Sequence, residues 1–177
     1  MAAVVFLRGV NVGGHKTFRP AALARDLAAL DVVNVGAAGT FVVLKTIGTA
    51  TLRAEFLRRL PFEAEIMICG ARDLVALANS DRFPGAPPEA DKSVRRFVSV
   101  LAKRPRTLPR LPLSRPAGDA WQVRIIALSG PFALSLWRRR TGRMLYPNEV
   151  VETAFAVPAT TRNWSTIDAV RAILEDS

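Results

Sequence analysis

The chain opens with Val4-Val5-Phe6-Leu7-Arg8-Gly9-Val10-Asn11-Val12-Gly13-Gly14, in which an apolar run leads directly into a glycine-rich turn. The apolar run predicts a short buried strand, since it is bounded by residues typical of turns. Three glycines within six residues allow the backbone to bend sharply and to expose its N–H groups. We therefore predict a strand that ends in a binding loop. The candidate anion ligands in this loop are Arg8, Asn11, Gly13 and Gly14.

The residues that follow the loop predict alternating strands and helices over residues 1–80. A helix is expected from Pro20 to about Leu30, because proline suits a first helical turn and apolar residues recur on one helical face. Strands are expected at 32–35, 41–44 and 65–69, with helices at 51–60 and 72–79. The order βαββαβ is typical of a ferredoxin-like fold, in which two helices cover one face of a four-stranded sheet.

The stretch Pro84-Gly85-Ala86-Pro87-Pro88 predicts a linker over residues 81–92. Beyond it, residues 93–177 predict a second α+β subdomain of order βαββα, whose first crossover is the weaker part. Four prolines in Pro105–Pro116 are too many for a helix interior, so this stretch is expected to be a basic loop with at most one short turn. Its strands are expected at 96–101, 121–128 and 132–137, with helices at 148–155 and from Ser165 onward. The expected fold class is α+β, with two ferredoxin-like subdomains built on mainly antiparallel sheets.

The net charge of +10 is concentrated in the second half of the chain, where 16 basic residues face 9 acidic ones in 81–177. Residues 92–118 hold eight basic residues and no acidic one. Such a patch attracts polyanions, so non-specific nucleic acid is one expected partner. The alternative is that these charges lie on solvated faces without a partner. The candidate nucleic-acid patch comprises Arg95, Arg96, Lys103, Arg104, Arg106 and Arg110.

Neither a membrane segment nor a cofactor site is indicated by the sequence. No apolar run approaches the roughly 20 residues of a membrane helix, and the first residues lack a basic signal-peptide region. We therefore expect a cytoplasmic protein with no membrane partner and no cofactor. The single cysteine, Cys69, excludes an internal disulfide, and the single histidine, His15, makes a metal site or a catalytic triad difficult to build.

A second polar motif, Thr160-Thr161-Arg162-Asn163-Trp164, precedes the last predicted helix. One interpretation is structural, with the tryptophan in the core and the polar side chains bonded to backbone. The other is an anion site, since arginine and asparagine would lie at a helix N-terminus. Its candidate ligand-binding residues are Thr161, Arg162, Asn163 and Trp164.

Two segments together resemble a bacterial family catalogued as domain of unknown function 1697. They are Phe6–His15 and Thr160–Thr166, and the order of elements between them is also similar. The resemblance implies two ferredoxin-like subdomains without an established activity, and it implies no catalytic residues. The chain departs from the family at Ala38-Gly39-Thr40, where members usually have Ser-Gly-Asn before the third strand. If the serine and asparagine side chains bind a ligand in relatives, that contact is lost or weakened here, and Thr40 could replace one hydroxyl.

Several familiar chemistries fit the sequence poorly. Gly9 and Gly14 have the spacing of a nucleotide-binding P-loop, but His15 displaces Lys16 by one position, so a nucleoside triphosphatase is rejected. An RNA-binding sheet in the first half would need exposed aromatics, whereas Phe6 and Phe41 are more simply core residues. His15 remains a possible base, and no close carboxylate pair indicates acid–base catalysis.

These observations leave three hypotheses for function. The first is a binding protein for a small phosphate- or carboxylate-bearing ligand, held in a pocket between the Arg8–Gly14 loop and the Thr160–Trp164 segment. The second is a nucleic-acid-associated module that acts through the basic patch. The third is an enzyme of unknown reaction that uses the same pocket. The sequence indicates neither the ligand nor the oligomeric state.

Overall fold

The computed structural model describes residues 2–11, 13–14, 16–79, 83–88 and 91–177. The chain divides into two compact units, one formed by Met1–Ala78 with Thr166–Ser177 and the other by Asn79–Ser165. The last helix was expected in the second subdomain, but residues 166–177 group with the first unit. No helix among the described residues has the length and apolar character needed to cross a membrane.

The elements follow the expected alternation in the first half and depart from it in the second. The strands are β1 (Ala3–Leu7), β2 (Val32–Val35), β3 (Thr40–Val43), β4 (Ile66–Gly70), β5 (Val94–Leu101), β6 (Leu113–Arg115), β7 (Val123–Ser129), β8 (Phe132–Arg138) and β9 (Ala159–Asn163). The helices are α1 (Pro20–Asp26), α2 (Thr49–Arg59), α3 (Ala71–Ala78), α4 (Pro147–Phe155) and α5 (Trp164–Glu175). Both sheets are antiparallel between all neighbours, which confirms the α+β class with mainly antiparallel sheets.

The first unit contains a four-stranded sheet of order β2-β3-β1-β4. The predicted strands and helices are all present, although α1 ends at Asp26 and a short 3-10 turn continues to Leu30. Phe41 packs edge-on against Phe56 of α2, with ring centroids 5.3 Å apart. Phe6 and Phe41 point to opposite faces of the sheet, and both are fully buried. They are core residues, as expected, and neither is available to stack on an RNA base.

The second unit contains a five-stranded sheet of order β6-β7-β8-β5-β9. Without the short edge strand β6, the four long strands repeat the order of the first sheet. The first crossover, residues 102–122, contains no α-helix, and β6 with a 3-10 turn at Gly118–Ala120 connects β5 to β7. The four prolines between 105 and 116 predicted a loop with at most one short turn, because proline removes the N–H donor that a helix interior requires; strand β6 within it was not predicted.

Strand β9 was not predicted, because its sequence Ala159-Thr160-Thr161-Arg162-Asn163 is too polar to indicate a buried strand. It pairs with β5 from Leu101 opposite Ala159 to Phe97 opposite Asn163. Helix α4 packs on the face of this sheet that carries Ala159. The Thr-Arg-Asn motif is therefore part of a sheet, and its side chains alternate between the two faces.

Candidate functional site

A groove of about 370 Å³ lies in the second unit, beside the first residues of β5 and the start of α5. The groove exists because β8 pairs with β5 as far as Val94, whereas β9 pairs only as far as Phe97. After Asn163 the chain turns into α5, so β9 does not cover residues 94–96. The lining residues are Asp91, Lys92, Val94, Arg95, Arg96, Asn163, Trp164 and Ser165.

Positive charge dominates this groove, which is lined by three cationic side chains and one carboxylate among the described residues. Arg96 is held in place, since its Nη2 donates to the carbonyl oxygen of Pro87 at 2.9 Å and its guanidinium lies 5.5 Å from the centroid of Phe83. Lys92 and Arg95 are exposed. Arg96 therefore supplies a fixed charge, while the exposed Lys92 and Arg95 add two charges that a bound anion can reach from solvent.

Trp164 forms one wall of the groove. Its ring meets Phe83 edge-on, with centroids 5.2 Å apart and an interplanar angle of 85°. Phe83 is buried, although it lies within the predicted linker 81–92. The described part of that segment, 83–88, therefore packs against the second unit through Phe83 and Pro87. Phe83 was not singled out from the sequence, although a large aromatic side chain directly before a proline-glycine stretch is a signal of packing.

Asn163 and Ser165 flank Trp164 where α5 begins. The Ser165 hydroxyl donates to Oδ1 of Asn163 at 3.0 Å, which orients the Asn163 amide at the groove. The N-terminal end of this 12-residue helix adds a partial positive charge. The helix end favours an anion over a cation in the groove.

Asp91 is the acidic group of the lining. Its Oδ1 accepts the backbone N–H of Ser93 at 2.9 Å, and hydrogen bonding to Ser93 lowers the pKa of the Asp91 carboxyl. The carboxylate is therefore charged at neutral pH, and it opposes part of the attraction exerted by the three cations.

Thr161 and Arg162 do not line the groove, although the sequence suggested them as ligands. The Thr161 hydroxyl donates to Oδ1 of Asn148 at 2.9 Å and lies 2.6 Å from Ser99 Oγ, so it joins β9 to β5 and α4. Arg162 points to the opposite face, where it is buried and donates to Thr160 Oγ1 at 2.8 Å and to the Thr161 carbonyl oxygen at 2.9 Å. Burial lowers the pKa of Arg162 to about 10. These contacts favour the structural interpretation for both residues.

The Arg8–Gly14 loop belongs to the first unit. Asn11 has a φ of 54°, and its side chain ties the loop to neighbouring segments, since Nδ2 donates to the Ala37 carbonyl oxygen at 2.8 Å and Oδ1 accepts the Phe18 N–H at 2.9 Å. Arg8 forms an ion pair of 3.2 Å with Glu65. Gly13 and Gly14 are exposed and have positive φ. His15 lies outside the described residues.

The predicted ligand residues thus fall into two groups, one in each unit. Asn163 and Trp164 line the groove of the second unit, whereas Arg8, Asn11, Gly13 and Gly14 belong to the loop of the first. The expectation of one pocket shared by the loop and the Thr160–Trp164 segment stays a prediction.

The six residues of the predicted nucleic-acid patch lie at two ends of one strand. Arg95 and Arg96 stand near the start of β5, and the other four, Lys103, Arg104, Arg106 and Arg110, follow its end. Eight extended residues span about 26 Å. Arg95 and Arg96 line the groove, and binding of nucleic acid by the six residues stays a prediction.

Comparison with known proteins supports the fold and leaves the chemistry open. A family model described as "Protein of unknown function (DUF1697)" matches residues 1–126. A solved structure of a conserved bacterial protein from Streptococcus pneumoniae is similar over 98% of this chain and 98% of its own, with 16% identity and a TM-score of 0.61. At this identity the similarity shows a common fold alone. No curated protein matches the sequence significantly.

Proposed function

The chain belongs to the DUF1697 family of proteins of unknown function, and on that premise we propose that it binds a small anionic ligand, bearing phosphate or carboxylate, in the groove beside β5. The observation that carries this proposal is the excess of three cations over one carboxylate around an open strand edge. Guanidinium and ammonium groups bind such anions through charge-assisted hydrogen bonds. Lys92 and Arg95 are the ligand-binding residues, and Asn163 and Trp164 shape the site.

We also propose that each unit is a ferredoxin-like subdomain. The order β2-β3-β1-β4 with two helices in the crossovers supports this for the first unit. In the second unit the order β7-β8-β5-β9 supports it, with the first helix replaced by the proline-rich connection. The groove then lies beside β5, the first strand of the second subdomain.

Thermal denaturation in the presence of anions tests the proposed site. Wild-type protein is heated with inorganic phosphate, pyrophosphate or citrate, against chloride at equal ionic strength. A ligand at 100 times its Kd stabilises the folded state by about 2.7 kcal/mol, which raises Tm by several degrees. We expect Lys92→Gln with Arg95→Gln to abolish the rise, and Arg72→Gln, an exposed arginine of α3, to preserve it.

A third variant, Arg8→Ala, separates the groove from the loop of the first unit. The proposal expects this variant to keep the rise in Tm. If the rise in Tm disappears in Arg8→Ala but persists in the Lys92/Arg95 double variant, the anion binds at the Arg8–Gly14 loop and not in the groove. A concentration of 10 mM largely saturates a site of millimolar affinity. If none of the anions raises the Tm of the wild-type protein at this concentration, the proposal is wrong.

Nucleic-acid binding is the second candidate function, and it is favoured by the basic residues after β5. Lys103, Arg104, Arg106 and Arg110 are exposed, and Arg104 and Arg106 border a hollow of about 490 Å³ together with the exposed Leu108. Salt-dependent retention on RNA or DNA that is lost in the triple variant Arg104→Ala, Arg106→Ala, Arg110→Ala would support it. Retention that is unchanged by these substitutions would contradict nucleic-acid binding through these residues.

The third hypothesis, an enzyme, would be supported if a ligand bound in the groove were converted to a product.

A further inference from the structure

Phe97 lies next to the groove, in the middle of a polar neighbourhood on the sheet. Across the strands it stands opposite Ser135 of β8 on one side and Asn163 of β9 on the other. Along β5 the residues on the same face are Arg95 and Ser99. The Phe97 side chain is only partly buried. Phe97 thus stands among four polar residues of the sheet, and its partly exposed ring lies beside Asn163, which lines the groove.

Trp137 extends this aromatic surface. Its ring is perpendicular to that of Phe97, with an interplanar angle of 84° and centroids 6.5 Å apart. The indole Nε1 donates to the Leu145 carbonyl oxygen at 2.9 Å, which fixes the ring. The guanidinium of Arg95 lies 5.7 Å from the Trp137 centroid, and the same side chain lines the groove. Arg95 therefore connects the aromatic pair to the anion site.

The sheet beneath the aromatic pair is polar as well. Ser99 and Ser135 are fully buried on this face, and Ser135 Oγ forms no hydrogen bond within the described part of the chain. A buried hydroxyl without a partner weakens the fold, because its desolvation is not compensated. Such groups are uncommon in native proteins and call for an explanation. Here the unpartnered hydroxyl stands directly across the strands from Phe97.

The geometry points to a nucleoside phosphate as the ligand of the groove, with the phosphate on Lys92 and Arg95 and the base against Phe97 and Trp137. This inference rests on the proposed anion-binding function. Asn163 borders both parts, since it lines the groove and stands opposite Phe97, and opposed side chains begin about 5 Å apart. A groove of about 370 Å³ has the size of small-molecule sites, which are roughly 300–1,000 Å³.

Stacking is the interaction that distinguishes this ligand from a plain anion. Every base has a flat π face, and stacking on an aromatic side chain strengthens binding by about tenfold or more with little dependence on the base. We therefore expect similar affinity for purine and pyrimidine nucleotides. The same chemistry occurs in a free nucleotide and in a single strand of RNA, and the binding experiment below distinguishes these two sources.

Isothermal titration with four probes separates the contributions of base and phosphate. The probes are ribose 5-phosphate, AMP, UMP and adenosine, and a uridine trinucleotide is titrated separately to test for an RNA strand. We expect AMP and UMP to bind about tenfold more tightly than ribose 5-phosphate, and adenosine to bind much more weakly than AMP. Phe97→Leu should reduce AMP affinity about tenfold and leave ribose 5-phosphate unchanged. Phe62→Leu, a partly buried aromatic of the first unit, is the matched control.

Each outcome bears on the nucleotide inference, on the proposed anion site, or on both. Equal affinity for ribose 5-phosphate and AMP would overturn the nucleotide inference while the anion site stands. No binding of any phosphate would overturn both. Adenosine binding as tightly as AMP would also overturn the inference, because it removes the phosphate from recognition. Tighter binding of a uridine trinucleotide than of UMP, lost in Phe97→Leu, would support the nucleotide chemistry and identify an RNA strand as its source.

Discussion

A β-carbon on Gly39 would lie 2.8 Å from Cγ2 of Val10, closer than two carbon atoms can approach without displacement. Gly39 also has a φ of 72°, a conformation that disfavours other residues. We expect Gly39→Ala to lower the free energy of unfolding by about 3 kcal/mol, since steric overlap adds to backbone strain. Urea denaturation at equilibrium measures this loss.

The same turn supplies the control. Gly36 has a φ of 70°, but no atom lies within 4 Å of a β-carbon built there. Gly36→Ala should therefore cost only the backbone strain, about 1–2 kcal/mol. If the free energy of unfolding falls equally in the two variants, Val10 moves away from the new β-carbon without an energetic penalty, and the steric argument is wrong. The contact also gives a physical reason for the one residue that the Ala38-Gly39-Thr40 segment shares with the family's Ser-Gly-Asn pattern.

Asn11 is expected to stabilise the first loop rather than to bind a ligand. Asn11→Ala removes the bonds to Ala37 and Phe18 and places alanine at a φ of 54°, so the unfolding free energy should fall by about 2–3 kcal/mol. Asn11→Asp keeps the acceptor for Phe18 and should lower the unfolding free energy less than Asn11→Ala does. Arg8→Gln serves as a comparison, since it removes a half-exposed ion pair that contributes less than about 1 kcal/mol. An Asn11→Ala protein as stable as wild type would contradict the structural role.

Asp91 is expected to weaken anion binding. Asp91→Asn removes a negative charge from the groove and keeps an oxygen that can accept the Ser93 N–H. A unit charge several ångströms from the ligand in water changes affinity about threefold, so phosphate should bind about three times more tightly. The gain should shrink in 0.5 M salt, which screens exposed charges. The control is Asp119→Asn, which removes an exposed acidic residue that does not line the groove. Equal phosphate affinity in the two variants would contradict the conclusion that Asp91 opposes anion binding.

Cys69 is expected to make the fold sensitive to alkaline pH. Burial raises the pKa of its thiol to about 12 from an ordinary value of 9.0. Above pH 9 the thiol ionises in the unfolded chain and stays neutral in the folded one, so the unfolding free energy falls by about 1.4 kcal/mol per pH unit toward pH 12. Below pH 9 both states keep the proton and this contribution has no slope.

Comparison with Cys69→Ala isolates this effect from other groups that titrate above pH 9. The variant should lack the additional slope when the two proteins are unfolded by urea between pH 8 and 11. A thiol reagent at pH 8 should modify wild type only after denaturation, since Cys69 is buried. Parallel stability curves, or rapid labelling of the folded protein, would contradict the burial of this thiol.

Local periodicity was sufficient to predict most of the first unit. The helical spacing of Leu23 and Leu27, and the apolar run that contains Phe6, indicated elements that the structure contains. Strand β9 could not be predicted in this way, because its stability depends on pairing with β5, some 60 residues earlier in the chain. Thr160 and Arg162 are buried there by tertiary contacts, against their usual preference for the surface.

The candidate site was predicted only in part, because a groove at a strand edge depends on where the neighbouring strand ends. Asn163 and Trp164 were identified from their motif, and Arg95 and Arg96 from their charge. Lys92 was noted only as part of the basic run 92–118 and not as a site residue, and Asp91 was not considered, although both charges lie within three residues of the start of β5. The alternation Arg95-x-Phe97-x-Ser99 was a usable signal for Phe97, since it places an aromatic residue on the polar side of β5.

The assignment of residues 166–177 to the first unit has a consequence for biosynthesis. Translation proceeds from the N-terminus, so residues 1–78 leave the ribosome long before the helix that completes their unit. That unit is discontinuous in the gene product, and the whole second unit is synthesised within it. A nascent chain halted before Thr166 therefore lacks residues that belong to the first unit, although residues 1–78 and the whole second unit have already been synthesised.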